Sequence, residues 1–322
     1  MTIACGGSGS EPTSPAPPPA SITSADPDSA QVITSDLVHF WAAYDAGGKN
    51  GSTAAFQTQY LDVPSSGLTD FIKSRSLTAS VLAQMIGAFP KYFAAIRTAN
   101  LGLATNGAVV ARIRANYATI KRLYPPALFP PVTFLVGRFT TGGTTSVSGM
   151  LIGSEFYSID AATPLDELST FQRDNVKSVD SLPIIVAHEH AHILQTFAGG
   201  VFAHANKNLL ELALLEGGAD FIGERSSGGN INGQLWTFAI PNESALWKEF
   251  STAMHGTDIS RWLYNQASST ATSTRPGDLG YFIGYRIVEA YYAKQSDKTA
   301  ALRDIIEMKD ADDFLARSGY SP

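Results

Sequence analysis

The sequence predicts a helix-rich α+β protein with one small sheet placed just before its most informative helix. Three observations predict it. Apolar residues recur at helical spacing over most of the chain. Two short β-rich runs, 132–136 and 149–153, stand together around a Gly142-Gly143 turn. The 322 residues are 44% hydrophobic and 16% charged, which supplies a large core and is too apolar for a wholly disordered chain. The formal net charge of −6 leaves no basic footprint for nucleic acid. No run approaches ~18 consecutive apolar residues, so no membrane-spanning helix is predicted. Cys5 is the single cysteine, which excludes an internal disulfide and a structural zinc site built from several thiolates. Any metal must therefore use His, Asp or Glu.

The elements follow in order. Residues 1–30 combine Gly6, Gly7, Ser8, Gly9 and Ser10 with Pro12, Pro15 and Pro17-Pro18-Pro19. Such a segment has few side chains to bury and reads as a disordered tether ahead of a folded domain over 31–322. Ile3-Ala4-Cys5-Gly6 resembles the end of a bacterial lipoprotein signal, which implies a lipid anchor on Cys5 and a place in the cell envelope. Without that anchor the expected location is secreted. Folded sequence is expected from Thr34-Ser35, where Leu37, Trp41 and Tyr44 recur at helical spacing after a Ser/Thr cap. Helical stretches over 78–99 and 108–123 come next, and Pro125-Pro126 stops the second. After the two strands the pattern is again mostly helical from Pro164 onward.

Residues 182–195 carry the chemistry. They contain His188-Glu189-His190-Ala191-His192, an HExxH motif, and only six histidines occur in the whole chain. On a helix, His188 and His192 share one face and can grip one zinc ion. Glu189 lies beside them, where it can take a proton from a metal-bound water. Pro183 suits the first turn of that helix, since its missing N–H has no partner to lose there. The apolar run Ile184-Ile185-Val186 predicts that the helix is buried. His190 points off the ligand face and is read as a supporting or surface residue.

Zinc needs a third protein ligand that leaves one position open. A third histidine six residues after His192 is absent, because Ala198 stands there. His204 lies in a later glycine-containing loop. The better candidate is Glu216 in Glu216-Gly217-Gly218-Ala219-Asp220, on a returning helix. Asp220, one turn later, can hydrogen-bond the far nitrogen of a ligand histidine. Glu211 and Glu224 are the alternative ligands. Two adjacent glycines inside a helix cost roughly 1 kcal/mol each relative to alanine. They make sense if this helix presses closely on the HExxH helix.

HExxH followed by a helix-borne glutamate with an acid at i+4 resembles the gluzincin metallopeptidases. A closer resemblance is to a bacterial family of predicted Zn-dependent proteases and to the related gliding-motility lipoprotein B group. The motifs that carry it are His188 to His192, Glu216 to Asp220 and Gly280-Tyr281-Phe282-Ile283-Gly284-Tyr285. Residues 261–265, 275–279 and 318–320 add to it, and the likeness covers roughly residues 36–320. Gly218 makes a glycine pair where the family's EGxAD usually has one glycine. The resemblance implies a zincin-like metallopeptidase fold, one zinc ion per chain, and a peptide or protein substrate. It names no particular substrate.

Peptide hydrolysis creates an oxyanion that a phenol near the metal can stabilise. Tyr281 and Tyr285 are the candidates, with Tyr281 favoured. Arg275 is read as a local partner of Asp278, and Trp262 and Tyr264 as core. In gluzincins an edge strand holds substrate as an added strand, and residues 149–155, with little side-chain bulk, are expected in that role. The reading is therefore an envelope zinc metallopeptidase. Its rivals are a non-enzymatic envelope protein that keeps the zinc fold as a scaffold, and a zinc hydrolase of non-peptide amides. No nucleic-acid partner is expected, and membrane contact only through a lipid on Cys5.

Overall fold

The computed structural model describes residue 18, residues 22–266 and residues 275–322. Cys5 and most of the expected tether lie outside the described residues. In chain order, β1 (Val32–Ile33) leads into α1 (Ser35–Asp45), α2 (Thr53–Phe56), α3 (Ser66–Arg75), α4 (Ala79–Ala88), α5 (Pro90–Gly102) and α6 (Ala108–Leu123). The strands β2 (Val132–Leu135), β3 (Gly143–Ser146) and β4 (Gly149–Gly153) follow. Beyond them come α7 (Thr170–Asn175), α8 (Leu182–Ala198), α9 (Leu209–Ser227), α10 (Trp236–Ala239) and α11 (Glu243–Ala253). The chain closes with α12 (Leu279–Lys294), α13 (Lys298–Ile306) and α14 (Ala311–Ser318). The architecture is the helix-rich α+β class expected. Among the described residues no single helix is long and apolar enough to cross a membrane.

The four strands lie in the order β1-β2-β4-β3, with β3 alone antiparallel. β2 and β4 are buried along their whole length, which is why both read as near-continuous apolar runs. Two expectations change here. Gly142-Gly143 is not the hairpin turn: Gly143 opens β3, and Val147-Ser148 turn the chain into β4. The 149–155 segment is not a sheet edge either, because β4 is flanked by β2 and β3. The edge strand beside α8 is β3.

The start of the packed body also moves. Ser24 pairs antiparallel with Phe129 through backbone bonds of 2.9 and 2.7 Å, and Ala30 is buried. Residues 22–30, expected in the tether, thus belong to the folded domain. The stretch expected as one helix over 78–99 is two, bent by 106°. Thr78 caps α4 by accepting the Val81 N–H at 3.2 Å. Pro90 then ends it, since proline cannot continue the hydrogen-bond ladder but suits the first position of α5.

Three helices matter for the site. α8 packs on α6, on α9 and against β3, and α9 lies between α8 and α12. The α9–α12 crossing is unusually close. A Cβ on Gly284 would overlap the Ala213 carbonyl, and one on Gly217 would overlap the Tyr285 backbone nitrogen. Gly217 therefore serves contact with α12, not with the HExxH helix as the sequence suggested. Gly218 does face α8, where its Cβ would stand 3.1 Å from Gln195 Nε2.

Candidate metal centre

α8 carries His188 and His192 on one face, and α9 brings Glu216 against them. The two Nε2 atoms are 3.1 Å apart, and Glu216 Oε2 lies 3.2 Å from His192 Nε2 and 3.7 Å from His188 Nε2. Ligands held at about 2.0–2.2 Å around a tetrahedral ion are separated by roughly 3.3–3.5 Å, so this triangle has the right size. His188, Glu216 and Asp220 are almost wholly buried.

The outer nitrogens are held as well. Asp220 Oδ1 lies 2.8 Å from His188 Nδ1, and Asn232 donates to both Asp220 oxygens at 3.1 and 3.0 Å. Gln195 Oε1 lies 3.1 Å from His192 Nδ1, while the same amide donates to the Leu215 carbonyl at 3.1 Å. That second bond fixes which end of the amide faces the ring. Each imidazole thus has an oxygen acceptor at Nδ1, which selects the tautomer with the Nε2 lone pair pointing inward. Glu216 Oε2 is buried without a hydrogen bond, so a third lone pair faces the same point. Together the three atoms make a candidate metal group.

The electrostatics agree with a cation site. Burial alone would lower His188, but the Asp220 bond and the charges of Asp220, Glu189 and Glu216 push it up to about 9. Burial would raise Glu216, yet His192, His188 and the Tyr264 hydroxyl hold it below the usual carboxylate range. The carboxylates around this point demand positive charge.

Glu189 is fully buried and presses against β3 at Gly143, where a Cβ would stand 3.0 Å from its Cδ. A side chain at this position would press on that carboxyl. Tyr281 lies over His188 with ring centroids 6.4 Å apart. Tyr285, one turn further along α12, donates instead to Glu224 Oε2 at 2.9 Å, so it is not brought to the cluster.

Several other readings change. His190 is a core residue: its Nε2 meets the Leu128 carbonyl at 2.7 Å, and burial between Tyr117 and Phe129 pushes its pKa down to about 4. His204 is exposed, with Glu211 as its neighbour at 3.9 Å. Glu211 closes the α9 capping box with Asn208, and Glu224 accepts from Tyr285 and Asn230, so neither alternative ligand reaches the histidines. Arg275 pairs with Glu249 at 3.6 Å and stacks on Trp262, not with Asp278. Trp262 is core as expected.

Tyr264 is not a core residue. It is half-buried, and its hydroxyl donates to Glu216 Oε1. A reciprocal clasp holds the loop that carries it: Asp278 N–H donates to Asn265 Oδ1 at 2.7 Å and Asn265 N–H donates to Asp278 Oδ1 at 2.9 Å. Sequence reasoning missed Tyr264, Gln195 and Asn232. The i+3 spacing of Gln195 from His192 was the one available signal among them.

Fold and site together define a helix-rich α+β protein with a His-His-Glu cluster supported by an acid and two amides. A family described as gliding motility protein GldB matches residues 230–322. The match reaches Tyr264, Tyr281 and Tyr285 but not His188, Glu189, His192 or Glu216. It bears on the gliding-motility part of the resemblance and not on the zinc-protease part. No curated protein and no solved structure matches the chain.

Proposed function

We propose that this chain is a zinc-dependent metallopeptidase of the bacterial cell envelope, anchored through Cys5. The observation that carries the enzymatic reading is the convergence of three lone pairs, from His188, His192 and Glu216, at one buried point beside a carboxylate. The two-nitrogen, one-carboxylate set suits zinc. A zinc ion held there would polarise a carbonyl and acidify a nearby water. The chain's own residues do the rest. Glu189 receives the water proton as it attacks the peptide carbonyl and returns it to the departing amine. Tyr281 offers its phenol to the developing oxyanion. Asp220 and Gln195 keep both imidazoles in register, and Tyr264 orients Glu216. The GldB similarity supports the envelope placement and the lipid anchor.

The test pairs metal content with turnover on a broad peptide mixture. Glu189→Gln should keep the metal and lose roughly 10²–10⁴-fold in rate, because the amide cannot accept the proton. Cleavage at the parental rate would refute the role of Glu189. One observation favours a second reading, a non-enzymatic scaffold: the matched residues 230–322 lie outside all three ligands. A parent that binds zinc stoichiometrically and cleaves nothing in the mixture would select it.

A further inference from the structure

A small cleft opens beside the cluster, lined by His188, Glu189 and Tyr281 and also by Lys177, Asn175 and Gln234. Lys177 is the one basic side chain there besides the histidine. Its backbone is clamped on both sides: its N–H donates to the Phe156 carbonyl at 2.7 Å, and its carbonyl accepts from Ile159 N–H at 3.2 Å. The backbone at this position is thus fixed, and the residue is half-buried. Among the described residues none forms an ion pair with it, whereas Lys91, for example, pairs with Asp166 at 2.7 Å. Burial pushes its ammonium below the usual lysine range, and no nearby acid offsets that.

A partly desolvated charge without a counter-ion is unfavourable for the fold alone. Placed in a cleft beside a general base, it is a ready partner for an anion on a ligand. The ammonium presents three donors to an oxygen acceptor. We infer that Lys177 reads a carboxylate on the bound peptide, so that the preferred substrates carry an acidic side chain or a free C-terminus close to the bond presented to Glu189. This rests on the peptidase reading and adds the substrate class. The rival role for Lys177 is to cover apolar surface with its aliphatic stem.

The test uses zinc-loaded Glu189→Gln protein, which holds peptides without turning them over, and fluorescence anisotropy of four dansyl tripeptides. Dansyl-Ala-Ala-Ala is compared with its C-terminal amide, and dansyl-Ala-Glu-Ala amide with dansyl-Ala-Gln-Ala amide. In at least one pair the carboxylate peptide should bind roughly 10–100-fold more tightly, as expected for hydrogen bonds to a charged group. The pair that shows it tells a C-terminus from a side chain. Adding Lys177→Met should erase the preference and adding Lys177→Arg should retain it, with each variant's folding checked by thermal unfolding. Equal or absent binding of all four peptides, or a preference that survives Lys177→Met, would overturn the inference. Digestion of a peptide mixture by the parent separates the two failures. Cleavage without charge preference sinks only the role of Lys177, and a Lys177-dependent preference without cleavage sinks only the peptidase.

Discussion

Replacing Gly284 with alanine tests the α9–α12 crossing directly. On helix propensity alone the change should help, because alanine is about 1 kcal/mol better than glycine inside a helix. At Gly284 the new methyl would fall on the Ala213 carbonyl oxygen and carbon, both backbone atoms that cannot rotate away. Ordinary carbon contacts are about 3.5–4.0 Å, so the two helices would have to part by well over ~1 Å. Overpacking of a core commonly costs ~1–3 kcal/mol, and here the obstacle is a helix backbone with buried residues on both sides. A net loss of about 3 kcal/mol or more is expected. Gly87 in α4 is the control, since nothing lies within 4 Å of its added methyl. Gly87→Ala should gain roughly 0.5–1 kcal/mol. Denaturant unfolding of both variants beside the parent gives the comparison. If Gly284→Ala matches or exceeds the parent in stability, the close crossing is not as described.

The other expectations concern the metal and the sheet. A chelator competition should rank Glu216→Ala as the most damaging of the acidic variants, with Asp220→Asn weakening affinity ~10–100-fold and Glu211→Ala and Glu224→Ala changing it little; a first place for either of the last two would refute the ligand set. Glu155, in the turn that follows β4, is fully buried, and one of its oxygens accepts the Gly137 and Phe139 N–H groups at 3.0 Å each. Burial outweighs those bonds and pushes its pKa up to about 7 from the ordinary 4.5. The folded state therefore binds this proton more tightly than the unfolded chain, and stability should fall as the pH rises from about 4.5 to about 7, by about 3 kcal/mol at most. Glu155→Gln should flatten that slope in urea titrations, and a slope left intact would show that another group causes it.

The histidine pair and its two acids were legible because their geometry is local or nearly so. His188 and His192 are one helical turn apart, and so are Glu216 and Asp220, so two amphipathic faces suffice to place four side chains. What failed were side chains whose partners are chosen by tertiary contact alone. Tyr285 shares the i+4 logic with Tyr281, yet one turn carries it past the cluster to Glu224. Tyr264 sits in a loop at φ 55°, where no periodicity tells which way a phenol will face. Arg275 has Asp278 close in sequence but Glu249 close in space. In the sheet, β1 has two residues, and β3 begins with a glycine that reads as a turn. Strands that short declare themselves only through their partners.

The α9–α12 crossing also has a consequence for the order in which the protein is made. Domains take shape as the chain leaves the ribosome from its N-terminus. All three candidate ligand residues have emerged once α9 is complete, while α12 and the Tyr264 loop are still to come. Until α12 arrives, the groove at Gly217 has no neighbour, and nothing from that side fixes the rotation of α9 about its axis. A chain halted after residue 227 would hold all three candidate ligands and lack the helix packed against α9 at Gly217. Owning the candidate ligands and being able to present them are thus separated in time, and a later part of the chain closes that gap.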